Sequence, residues 1–123
     1  MSKRILVIED QQDNRQILRD LLTSADFEVI EAMDGETGLV AAAAQRPDLV
    51  LMDIQLPGLD GYEATRRIKA DAALRAIPVI AVTSYGLAGD AEKAFAAGCD
   101  AYISKPYSPR QLLAKVREYL PPG

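Results

Sequence analysis

Pro47-Asp48-Leu49-Val50-Leu51-Met52-Asp53-Ile54-Gln55-Leu56-Pro57-Gly58 is the stretch from which the fold can be read. The apolar run Leu49 to Met52 is entered from a Pro-Asp turn and closed by a Pro-Gly turn. It is too short for a helix and apolar at every position, the pattern of a strand covered on both faces. Such strands belong to parallel sheets. Asp53, at the carboxyl end, is costly to desolvate, so the chain must present it at an open rim or pair it. Open parallel α/β sheets bind ligands at that rim, which makes Asp53 the first functional candidate.

Outward from this strand the same unit repeats. Arg4 to Ile8 is a second β-branched run, and it ends in Glu9-Asp10. From Asp13, the residues Ile17, Leu18, Leu21 and Leu22 mark the inward face of an amphipathic helix ending near Ser24. Phe27 to Ile30 reads as a brief strand, and Asp34 caps a helix that runs to Gln45 and stops at Arg46-Pro47. Asp60-Gly61 opens a helix with Ala64, Ile68 and Tyr62 inward and Arg66, Arg67 and Lys69 in water, followed by a loop over Asp71 to Ala76. Pro78 to Val82 is the fourth strand and ends in Thr83-Ser84. Gly86 and Gly89 delay the next helix to about Asp90–Ala97, with Gly98 as its cap. Ala101 to Ile103 is the fifth strand and ends in Ser104-Lys105-Pro106. Ser108 and Pro109 open a last helix whose inward face is Leu112, Leu113, Val116 and Leu120. Strand then helix, five times at roughly 24 residues per unit, predicts a doubly wound five-stranded parallel sheet in a single domain. With the first strand at the switch point, the expected strand order is 2-1-3-4-5.

Composition narrows the function. With 123 residues the chain is one domain, and its 49% hydrophobic and 26% charged content is ordinary for a soluble protein. A net charge of −4 and the lack of any basic run argue against a partner gripped by its phosphates, so no nucleic acid is expected. The longest apolar runs are far too short to span a bilayer, and Met1 to Arg4 leads straight into a strand rather than a signal segment. No membrane association and a cytoplasmic location are the expectation. Cys99 is the sole cysteine and the chain has no histidine, so it reads as a small core residue rather than a reactive thiol.

Four of the five strands deliver polar residues to the same rim: Glu9 and Asp10, Asp53, Thr83, and Lys105. Each alone would pass as a solvated loop residue. Together, three carboxylates in an apolar-walled cleft repel one another until one protonates or a cation sits among them. Without histidine or a thiol cluster, a hard oxygen-loving ion such as Mg²⁺ is the natural occupant, and the Gln55 backbone carbonyl is placed to complete its shell. Lys105 adds a positive point charge and Thr83 a hydroxyl donor, which suits a tetrahedral dianion. The site looks built to place a phosphoryl group on an oxygen of Asp53.

These residues carry a resemblance. Glu9-Asp10, Met52-Asp53-Ile54-Gln55-Leu56-Pro57-Gly58-Leu59-Asp60-Gly61, Val82-Thr83-Ser84 and Tyr102-Ile103-Ser104-Lys105-Pro106 resemble, in order and over the whole chain, the receiver domain of bacterial two-component response regulators. Among its subtypes the chain is most similar to single-domain regulators of the DivK and CheY kind, and Ala97 to Pro106 leans toward DivK. The resemblance implies a flavodoxin-like, CheY-like fold with Asp53 as phosphoacceptor, and Asp10, Asp53 and the Gln55 carbonyl around Mg²⁺. It further implies that Glu9 acts through a metal-bound water, that Thr83 and Lys105 contact the phosphoryl group, and that Tyr102 changes rotamer in the switch. Lys105-Pro106 is then a cis peptide. Glu9 and Gln55 depart from the commonest residues at their positions while keeping the chemistry. Tyr85 is large enough to restrict water near the acyl phosphate, which suggests slow hydrolysis.

The resemblance also implies partners: a sensor histidine kinase or histidine phosphotransfer protein as donor, and a downstream protein that reads the surface of the fourth helix, fifth strand and fifth helix. The protein itself would be a monomer and not an enzyme, beyond assisting its own phosphorylation and dephosphorylation. A phosphohydrolase of the haloacid-dehalogenase kind needs a second acid two residues after the nucleophile, where Gln55 stands. In a flavodoxin-like carrier, Glu9 and Asp10 would repel the flavin phosphate. A receiver module from a hybrid kinase or a larger regulator is the alternative, with Pro121-Pro122-Gly123 as the start of a linker. Beginning at Met1 and stopping just past the last helix favours a freestanding domain.

Overall fold

Each short apolar run becomes a strand. A computed structural model describes residues 2–83 and 90–121. Among these the elements are β1 (Arg4–Ile8), α1 (Gln12–Ser24), β2 (Glu28–Ala32), α2 (Gly35–Gln45), β3 (Leu49–Asp53), α3 (Gly61–Ala70), β4 (Val79–Thr83), α4 (Asp90–Ala97), β5 (Ala101–Ser104) and α5 (Pro109–Tyr119). The strands form one parallel sheet in the order β2-β1-β3-β4-β5.

Strand period decides which helix lies where. Ile5, Val7, Leu49, Leu51 and Ile80 face Leu18 and Leu22 of α1 and Leu112 and Val116 of α5. Leu6, Ile8, Val50, Met52 and Ala81 face Ala42 of α2, Ala64 and Ile68 of α3 and Ala94 of α4. Buried on both sides, β3 is the central strand. On the second face α2 lies very close to the sheet, because Gly38 has no side chain; a Cβ there would overlap the Ile8 side chain.

The helix ends follow local chemistry. Asp34 accepts the Thr37 amide at 2.7 Å and Asp60 the Glu63 amide at 2.9 Å. Ser108 and Gln111 form a reciprocal capping box with Pro109 in the first turn. Arg46, in the left-handed region at φ 45°, ends α2.

Three expectations change. β2 begins at Glu28 rather than Phe27, because the Phe27 amide is used by Leu22 O to close α1, with Asp26 at φ 71° in the turn. Ile17 is 61% exposed. It sits one position off the Leu18–Leu22 line that meets the sheet, and only those two α1 residues are fully buried. Leu113, by contrast, is half-buried and packs against the same cluster as Leu112 and Val116, as expected. Lys69 does not project into water. Its stem runs along Gly98, and its ammonium donates to Arg75 O, Ile77 O and Asp100 Oδ2 at 3.1, 2.8 and 2.9 Å. Asp100 in turn accepts the Val79 amide at 2.8 Å, and its carbonyl accepts the Tyr119 hydroxyl at 2.9 Å. The segment 71–77 folds over this ammonium and buries Leu74 in the core. Cys99 is buried against Thr65, and burial pushes its thiol up. Tyr85, Gly86 and Gly89 lie outside the described residues.

Candidate metal centre

The right-handed βα crossovers bring the carboxyl ends of β1, β3, β4 and β5 to one rim, and with them most of the residues singled out above. Asp53 ends β3 and is 6% exposed; Glu9, just past β1, is 3% exposed and Thr83, the last residue of β4, also 3%. Asp10 stands exposed beside them. One carboxylate oxygen from each of Glu9, Asp10 and Asp53 can be chosen so that all lie within 4.8 Å of one another. Asp53 Oδ1 accepts the Gln55 amide at 3.0 Å, which fixes the turn that carries the Gln55 carbonyl.

Lys105 reaches the cluster from β5. Its amide donates to Thr83 O at 2.7 Å, and its ammonium donates to Glu9 Oε1 at 3.1 Å. The Lys105–Pro106 peptide is cis. Thr83 pairs in register with Ser104, and Ala81 with Tyr102, so Thr83 and Tyr102 share a sheet face on adjacent strands, diagonally placed. Tyr102 is half-buried.

Behind Asp53 the backbone is tightly approached. The Gly61 amide donates to Ile54 O at 3.1 Å, and a Cβ on Gly61 would collide with the Asp53 carbonyl and with Ile54 Cα. Thr65 Oγ1, one turn along α3, bonds Gly61 O at 2.8 Å and holds that turn from beneath.

The proton distribution reports the crowding of charge. Burial, then the hydrogen bond and charge of Glu9, pushes the Asp53 carboxyl up to about 7 against the pull of the Gln55 amide and Lys105. Burial and Glu9 also raise Asp10. For Glu9 burial acts upward, but the Gln11 amide and hydrogen bonds with Asp53, Asp10 and Lys105 outweigh it and hold it below the usual range. Below about pH 7 a proton on Asp53 would therefore relieve part of the repulsion with Glu9. Three oxygen donors with surplus negative charge, and no nitrogen or sulfur donor among them, suit a hard divalent cation.

Two residues were not singled out by their positions in the sequence. Arg15, on the polar side of α1, turns its guanidinium back to donate to the carbonyls of Glu9 and Asp10 at 2.7 and 3.1 Å. Its signal would have been an arginine on the first turn of a helix that opens directly from an acidic strand end. Tyr107 follows the cis peptide and is half-buried; burial, then the charges of Glu9 and Asp53, pushes its phenol up.

Residues 5–117 match the family described as the response regulator receiver domain. The polar-differentiation response regulator DivK of Brucella anthropi is 43% identical over 120 residues, 98% of each chain. The receiver domain of a sensor histidine kinase from Pseudomonas aeruginosa, solved with a magnesium ion in its active-site cleft, is 36% identical with a TM-score of 0.91, covering 98% of each chain. The chemotaxis protein CheY4 of Vibrio cholerae, at 24% identity and TM-score 0.91 over 97% of this chain and 99% of its own, shares the fold.

Proposed function

The chain belongs to the response regulator receiver domain family, and we propose that it receives a phosphoryl group on Asp53 and passes the change to its surface. The observation that carries this is a nearly buried Asp53 whose carboxylate meets those of Glu9 and Asp10 at the rim, with Lys105 in reach of the same cluster. Asp10, Asp53 and the Gln55 carbonyl would hold Mg²⁺, with Glu9 acting through a water. The ion would neutralise charge on the phosphoryl oxygens as they approach the acids.

The protein's own groups do the rest. An ionised Asp53 oxygen attacks phosphorus; the new O–P bond forms as the N–P bond to a donor phosphohistidine breaks, and the electron pair returns to the imidazole nitrogen. The Gln55 amide orients Asp53 by binding its other oxygen. Lys105 leaves Glu9 for the phosphoryl group, and the Thr83 hydroxyl donates to it. As Thr83 moves inward, the Tyr102 ring turns into the space beside β4, and the α4–β5–α5 surface adopts its second arrangement. The donor is a sensor histidine kinase or a histidine phosphotransfer protein, and a downstream protein reads that surface. The receiver is a monomer in the cytoplasm; no described helix is long and apolar enough to cross a membrane. The chain assists its own phosphorylation and dephosphorylation without turning over an outside substrate. A second setting, a receiver module attached to a sensor kinase, has the support of the 36% identity to such a domain and uses the same chemistry.

The test is phosphorylation by acetyl phosphate with Mg²⁺ and no kinase, followed by intact-mass spectrometry. Wild type should gain one phosphoryl group and Asp53→Asn none. An equal yield of adduct on the variant would overturn the assignment.

A further inference from the structure

Glu9 and Asp10 form a two-residue turn that is pinned from two sides. The Glu9 amide donates to Ala32 O on β2 at 3.1 Å. From the other side Arg15 Nη1 donates to Glu9 O at 2.7 Å and Asp10 O at 3.1 Å. The guanidinium is itself steered: Arg15 Nε lies 3.6 Å from Glu31 Oε1, and Arg19 holds the other oxygen of Glu31 at 3.0 Å. The Arg15 side chain is 13% exposed, so this is an enclosed contact rather than a waving surface cation.

We infer that Arg15 is a positioning residue for the cation site, its fork fixing the Glu9–Asp10 turn so that both carboxylates face Asp53. The inference rests on the reading of these acids as an Mg²⁺ shell. Asp10 is exposed, and Arg15 ties its backbone by donating to its own carbonyl. Without it the carboxylate would have to be ordered when the ion binds, and affinity falls by that cost. A planar guanidinium can span two carbonyls and a carboxylate at once, which a lysine ammonium on its flexible stem cannot do as well.

The sign of the effect separates positioning from charge. Arg15 carries a positive charge close to a cation site, so electrostatics alone would make Arg15→Ala bind Mg²⁺ more tightly and leave Arg15→Lys unchanged. Positioning predicts that both bind more weakly. The measurement is the Mg²⁺ dissociation constant of wild type, Arg15→Ala and Arg15→Lys by titration calorimetry, with a thermal melt of each in chelator to establish folding. Outer partners that orient ligands are worth about 10–100-fold in metal affinity, so Arg15→Ala should weaken binding about tenfold and Arg15→Lys by less. If Arg15→Ala does not fold, Arg15→Lys decides alone. Variants that bind as well as wild type, or better, would overturn the inference while leaving the metal site standing. Wild type that binds no Mg²⁺ would overturn the reading of the site and the inference with it.

Discussion

Replacing Asp53 by asparagine should make the metal-free protein more stable, although it removes the group on which the proposed function depends. Near pH 8 the Asp53 carboxyl, pushed up to about 7, is mostly ionised beside Glu9. Two unit charges no more than 4.8 Å apart at an effective dielectric of about 20 repel by at least roughly 3.5 kcal/mol. The rise from 3.8 to about 7 corresponds to roughly 4 kcal/mol by linkage. The attraction of Lys105 offsets part of the first figure and is already contained in the second, and solvent screens both, so the gain expected from Asp53→Asn is about 2 kcal/mol, or roughly 6–8 °C in Tm for a chain of this size. The amide keeps the side chain's volume, can accept the Gln55 amide and can donate to Glu9. The sign with pH follows from the direction of the shift. A carboxyl raised in the folded state contributes stability that is whole below its unfolded value and is lost as pH rises through its folded value. Wild type in chelator should therefore weaken from about pH 4 to about pH 7, and the advantage of the variant should shrink to about a third near pH 5. Glu9, shifted the other way, loses its contribution at still lower pH, outside this window. Urea titrations in chelator near pH 5 and pH 8 read both quantities. Mg²⁺ should reverse the order, since an ion at 100 times its dissociation constant stabilises the folded state by about 2.7 kcal/mol and the variant has lost a ligand. Asp53→Asn that is no more stable than wild type near pH 8 in chelator would refute the reasoning.

Asp10→Ala should lose most Mg²⁺ affinity while remaining folded, because an exposed ligand carboxylate is removed; calorimetry showing unchanged binding would contradict the shell. Gly38→Ala should cost about 1–3 kcal/mol in urea denaturation, because the added methyl overlaps the Ile8 side chain and α2 must move off the sheet. Thr83→Ala should still accept phosphate on Asp53 but fail to shift the amide resonances of α4 and β5 when beryllofluoride is added. A full wild-type pattern of shifts in that variant would remove Thr83 from the route.

Asp53 is legible from sequence because an acid at the end of a fully apolar strand has few places to go, and the parallel sheet puts those places at one rim. Glu9, Asp10, Thr83 and Lys105 follow from the same argument applied to three further strand ends. The parallel sheet follows from the crossover rule and its strand order from placing the first strand at the switch point, and neither needs side-chain detail. What depends on how far a side chain reaches is not legible. Arg15 and Lys69 both read as solvent-facing cations by helical period, yet each folds its stem back to gather carbonyls from a neighbouring loop. Ile17 fails for a related reason. Periodicity marks an apolar side of α1, while the width of the contact is set by the sheet beneath: Leu18 and Leu22 are buried in it, Leu21 packs at its margin, and Ile17 falls outside.

The Lys69–Asp100 tie has a mechanical consequence. It joins the end of α3, the start of β4 and the tip of α5 at a single carboxylate-bearing corner, on the side of the sheet away from the acids. α4 ends three residues before that corner, so its last turn is anchored while its first turn lies toward the rim. A pivot about that turn would make the helix a lever. Over its 8 residues it is about 12 Å long, and a tilt of about 10° about the anchor carries the free end about 2 Å. In the function proposed above, a small inward movement of Thr83 would reach the surface as a larger displacement of that helix end.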